Sequence, residues 1–191
     1  MLLRLIEDMD KALDNNCFFS ALAVALMLPD ICGKAEYPNE KSSKKRYIGW
    51  YDKNIGQYEK CPDDDGKMPY LSGEVVYSLR CCFLHQGTPN IEATGINEER
   101  CKIDNFALAV EKKKAFNQMS SVSALYDEYY KDEKIYKPYR EYQVDVRRLC
   151  FIISACAKGY YKENKDKFKF FSFSIVDLDE QNKRFEELNR G

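Results

Sequence analysis

Apolar positions recur at helical spacing from the start of this 191-residue chain, with Leu2, Leu5, Ile6, Met9 and Leu13 on one face. From Cys17 to Leu28 apolar character is nearly continuous, the mark of a helix buried on all sides. The first 34 residues therefore read as one long helix or two consecutive ones, and Pro29 and Gly33 mark where the pattern weakens or ends. Lys44 to Tyr58 reads as a second helix bearing Tyr47, Ile48, Trp50, Tyr51 and Ile55. Turn residues mark the loop from Cys61 to Lys67. The third helix has the clearest limits: Ser72 suits an N-cap, Gly87 a C-cap, and Pro89 forbids continuation. Val75, Val76, Leu79, Phe83 and Leu84 between them make it mostly buried.

The pattern then changes. Cys101 to Val110, Ser121 to Tyr126 and Tyr136 to Val146 read as strands. A helix follows from about Val144 to Lys162, built on Val146, Leu149, Ile152, Ile153 and Ala157. Phe170 to Val176 reads as another strand and Asp179 to Leu188 as a short charged helix. The expected fold is a single, mainly α domain of α+β type over residues 1–191: a bundle of about four helices. It has a small antiparallel β insertion at about 100–143, between the third and fourth helices. A C-terminal strand and short helix occupy about 168–190.

Composition changes this picture little. Hydrophobic residues are 45% and charged residues 32%, enough apolar material for a core. Net charge is −1, so any affinity for nucleic acid must come from local patches. A membrane span is not expected, because the continuous apolar run is about a dozen residues against the roughly 20 a bilayer needs. Glu7, Asp8, Asp10 and Asp14 precede it where an export signal carries positive charge. Eight cysteines contain no Cys-x-x-Cys pair, so buried thiols in a reducing cytoplasm are expected rather than disulfides or a zinc site. Cys61 is the expected exposed thiol.

There is one histidine, His85, five residues after Arg80. Imidazole exchanges protons near neutral pH, and a guanidinium offers permanent charge to phosphate. On an ideal helix Glu74, Ser78, Cys81 and His85 share a stripe, while Arg80 lies about 140° from His85. Acting on one substrate then requires Arg80 to reach around on its long stem, or a second copy of the helix to complete the site. Glu74 and Ser78 are the candidates to orient the ring. The plain alternative is that His85 sits near a helix C-terminus, where its charge suits the dipole, and Arg80 pairs with a carboxylate.

Arg80-Cys-Cys-Phe-Leu-His85, late in a buried helix and followed by Gln86-Gly87, resembles the Arg-x4–6-His signature of the HEPN superfamily. The resemblance covers about the first 90 residues and the helix near 144–162. It implies a HEPN-like bundle acting as a homodimer, and a metal-independent endoribonuclease of toxin or antiviral-defence type with Arg80 and His85 as catalytic residues. Single-stranded RNA is the implied substrate, an antitoxin or other protein the implied partner, and no metal or cofactor is expected. The alternative it offers is a non-catalytic domain that binds a nucleotide or a partner protein. The chain departs from the pattern at Cys81, where active members often carry a polar residue. It departs again at Gly87, where the subgroup paired with nucleotidyltransferases carries tyrosine.

Other signals are weaker. Lys158 to Phe171 interleaves basic and aromatic residues, as a segment tracking single-stranded nucleic acid does, or as a solvated helix end does. Lys41, Lys44, Lys45 and Arg46 form a denser basic cluster at a helix entrance, which reads first as a solvated loop and second as a binding patch. Asp63-Asp64-Asp65-Gly66 lacks the alternating ligands of a calcium loop and reads as a turn. Cys81 stands four residues before His85, but a nucleophile inside a buried helix has poor access.

Overall fold

In the computed structural model, residues 1–60, 69–91, 95–110, 125–132 and 135–189 are described, with 125–132, 135–139 and 189 by their backbone alone. The expected loop at 61–67, with Cys61 and its aspartates, and the start of the strand expected at Ser121 lie outside these residues. Among them the fold is mainly helical, with six α-helices and one small sheet.

The N-terminal apolar run forms two helices, α1 (Leu2–Asp14) and α2 (Phe18–Glu36). Asn16 makes the break with φ 57°, in the left-handed region that asparagine tolerates better than most residues. Pro29 does not end α2, which continues for seven residues beyond it to Glu36. Proline lacks the N–H that would bond the carbonyl four residues earlier, but Pro29 is buried and packing holds the helix together. By length and composition α2 could cross a membrane. Here it is the central helix, packed against α1, α3 (Ser43–Asn54) and α5 (Val146–Glu163). Gly33 permits the close crossing with α3, since a Cβ there would lie 2.6 Å from the Arg46 carbonyl oxygen.

Helix α3 starts at Ser42, whose hydroxyl accepts the Lys45 N–H, and ends four residues before the expected limit, passing into a 3₁₀ turn at Gly56–Tyr58. Its Tyr47, Trp50 and Tyr51 are completely buried. Helix α4 (Gly73–Cys81) begins at the expected cap, with Ser72 Oγ accepting the Val75 N–H at 3.3 Å. Asp52 Oδ1 takes the Gly73 N–H at 2.6 Å, tying the start of α4 to α3.

The sheet joins β1 (Asn105–Ala109), β2 (Leu125–Asp132) and β3 (Ile135–Asp145) in the order β1-β3-β2. It is mixed, not wholly antiparallel as expected: β2 and β3 run antiparallel, β1 and β3 parallel. The cause is topological. Because β2 reverses the chain between β1 and β3, β3 returns along the direction of β1. Strand β3 runs straight into α5, where Asp145 Oδ1 accepts the Arg148 N–H at 2.9 Å. Arg148 in turn grips both Glu59 carboxylate oxygens, at 2.8 and 2.9 Å.

The strand expected over Phe170–Val176 is absent. A 3₁₀ turn (Lys165–Phe168) follows α5, and residues 171–177 carry no regular structure before α6 (Leu178–Asn189). A strand needs a neighbouring ladder, and none of the three described strands pairs with this segment.

Candidate functional site

Helix α4 does not end as an α-helix. From Cys82 to Gln86 it widens into a π-turn, closed by the Gly87 N–H to the Cys82 carbonyl, an i to i+5 bond. Gly87 adopts φ 64° at the C-cap, as its position in the sequence suggested. Beyond it the chain is fastened to the sheet, with the Phe106 N–H on the Pro89 carbonyl at 3.0 Å and the Ile91 N–H on the Asp104 carbonyl at 2.9 Å. The Cys82 thiol adds a bond to the Asn90 carbonyl at 3.0 Å.

This turn changes the phase of the helix. An extra residue per turn rotates His85 back toward the face of Arg80. The two side chains meet within one chain, Arg80 Nη1 lying 3.2 Å from His85 Nε2. The ideal-helix separation of about 140° does not apply, because it assumes α geometry throughout. Arginine can only donate, so Nε2 is the acceptor and the ring proton belongs on Nδ1. His85 is exposed.

Arg80 is held from several sides. Its Nη2 pairs with Asp30 Oδ2 of α2 at 3.2 Å. Its guanidinium lies 5.7 Å from the Tyr77 ring centre and 6.0 Å from that of Tyr47, within cation–π range. The two rings meet edge to face at 5.3 Å. Arg80 Nε and the Tyr47 hydroxyl are buried without a hydrogen-bond partner among the described residues. Burial pushes the Tyr47 phenol well above its ordinary range, so it stays neutral.

Glu74 and Ser78 are engaged elsewhere. The Glu74 carboxylate accepts the backbone and side-chain N–H groups of Asn97, and Ser78 Oγ donates to the Glu74 carbonyl at 2.8 Å. The carboxylate at the pair is instead Asp30, which the sequence reading did not single out. Its signal was present: one acid immediately after the apolar run, on a helix taken to weaken at Pro29. Cys81 lines a groove of about 160 Å³ with Lys44, Tyr77, Gln86 and Ile91. That is below the roughly 300 Å³ at which ligand pockets begin. Among the described residues no cluster of three or more His, Cys, Asp or Glu side chains is placed to hold a metal ion.

No family model, curated protein or solved structure matches this chain.

Proposed function

We propose that this chain is a HEPN-like, metal-independent endoribonuclease of toxin or antiviral-defence type. It acts on single-stranded RNA in the cytoplasm, as a homodimer, with Arg80 and His85 as its catalytic residues. An antitoxin-type protein partner belongs to the same reading. The observation that carries it is the 3.2 Å approach of Arg80 Nη1 to His85 Nε2 at an exposed helix end.

His85 Nε2 takes the proton of a 2′-hydroxyl, and the freed 2′-oxygen attacks the adjacent phosphorus. The bond to the 5′-oxygen breaks, and that oxygen receives a proton from the imidazolium. Arg80 faces the charge that builds on the phosphorane oxygens. Substrate phosphate would take the Nη1 hydrogen bond now made to His85, releasing Nε2 to act as base. Asp30 and the two tyrosine rings keep the guanidinium in place during that exchange.

The second reading is a non-catalytic domain that binds a nucleotide or a partner protein. The Arg80–Asp30 ion pair favours it, since a guanidinium already held by a carboxylate has one edge fewer to offer. The two readings differ in one assay. End-labelled single-stranded RNA incubated with the purified protein and a chelator should yield fragments ending in 2′,3′-cyclic phosphate. RNA that stays intact, or products with other ends, contradicts the nuclease.

A further inference from the structure

We propose that Lys165–Phe173, with Lys34 of α2, forms a stacking platform that delivers single-stranded RNA to the Arg80–His85 site; the proposal rests on the nuclease reading. A ladder of aromatic rings leads out of the core here. Trp50 meets Tyr160 at 5.8 Å, Tyr160 meets Phe168 at 5.9 Å, and Phe168 meets Phe170 at 6.3 Å. Phe171 then lies 6.4 Å from Phe170 and 5.7 Å from Phe173. Burial falls along it: Trp50 is fully enclosed and Phe168 5% exposed, but Phe170 is 41% and Phe173 67% exposed. The inner rings anchor the outer two, which face solvent.

Charge selects the occupant. Lys34, Lys162, Lys165 and Lys169 are exposed, the last three within eight residues of Phe170 in the chain, and none forms an ion pair with a carboxylate among the described residues. Lys34 Nζ lies 4.8 Å from the Phe170 ring centre. Lys167 is committed to Glu36, and Glu163 and Asp166 are the acids on the same stretch. Unpaired cations interleaved with exposed rings suit a chain of phosphates and flat bases, and every base offers a face to stack. The link to the site runs along α2. Lys34 stands four residues after Asp30, so their Cβ atoms are about 6 Å apart on one face of α2, and Asp30 holds Arg80.

The test is fluorescence anisotropy with a labelled single-stranded RNA of about 12 nucleotides, 2′-O-methylated throughout. That probe cannot be cleaved through its 2′-oxygen, so binding is read apart from chemistry. Phe170→Ala with Phe173→Ala should weaken binding at least tenfold. Phe170→Leu with Phe173→Leu should weaken it similarly, because leucine keeps apolar bulk but offers no stacking face. Lys165→Gln with Lys169→Gln leaves every ring in place and should flatten the slope of log affinity against log salt by about 1.4. With ordinary RNA, the alanine pair should raise KM and leave kcat alone. Affinity within twofold of wild type for the alanine pair, or full affinity in the leucine pair, overturns the platform. So does a surface that binds only anionic vesicles or a second copy of the chain. Tight binding lost in the alanine pair without any cleavage of ordinary RNA sustains the platform and overturns the nuclease. Cleavage with an unchanged KM in that pair does the reverse.

Discussion

Arg80 Nη1 lies 3.2 Å from His85 Nε2 within a single chain, and the π-turn from Cys82 to Gln86 closes that distance. A dimer is then not needed to assemble the pair, whatever groove two copies form together. Mixing Arg80→Ala and His85→Ala proteins under conditions that allow subunit exchange should therefore restore no RNA cleavage. Recovery toward a quarter or more of wild-type activity would show that each site is completed across two copies.

Asp30 is the counter-charge to a guanidinium that is mostly covered, their side chains being 29% and 17% exposed. Removing the carboxylate leaves Arg80 charged against two aromatic rings. Asp30→Asn should cost about 1–3 kcal/mol, between the values for exposed and buried pairs. A urea midpoint unchanged from wild type would mean that water already screens the pair.

The Tyr47 hydroxyl is fully enclosed and makes no hydrogen bond among the described residues. A buried hydroxyl without a partner costs free energy that phenylalanine does not. Tyr47→Phe should leave stability unchanged or raise it by up to about 1 kcal/mol. A loss larger than that in thermal or urea unfolding would reveal an internal bond to this hydroxyl.

Much of this arrangement was written in local sequence. Ser72 and Gly87 bound the third helix as caps should, and the strands expected within Cys101–Val110 and Tyr136–Val146 contain or overlap β1 and β3. Three features were not legible, for physical reasons. The phase of His85 depends on a π-turn, and π geometry leaves no periodic mark because it lasts only one turn. Pro29 looked like a stop because local rules treat it as one, yet Pro29 and Leu28 are buried and tertiary packing outweighs one missing hydrogen bond. That misjudgement hid Asp30, which lies one residue beyond it. The Phe170–Val176 strand failed similarly: β-forming residues make no strand without a ladder to join, and here Phe171 meets Phe170 at a tilt and Phe173 edge to face.

Glu36 joins four parts of the fold. It accepts hydrogen bonds from Lys53 at 2.6 Å, Tyr160 at 2.6 Å and Lys167 at 2.9 Å, which hold its carboxyl down at about 2 against an ordinary 4.5. A carboxylate with a depressed folded value stabilises fully above its unfolded value, and that contribution disappears as pH falls through the folded one. Wild type should lose about 1–2 kcal/mol through this group between pH 5 and about 2, after allowance for its exposed lysine partners. Glu36→Gln should lack that part of the acid loss. Parallel stability curves for the two proteins across this range would show the knot to be energetically silent.

In the proposed reaction His85 acts as the base on RNA beside Arg80. The most direct measurement is the initial rate of single-stranded RNA cleavage in excess chelator, for wild type and for folded His85→Ala at equal concentration. The expected result is cleavage by wild type and a rate at least 100-fold lower for the variant, the lower range for losing a general base. Equal rates for the two proteins, or no cleavage by either, would contradict it.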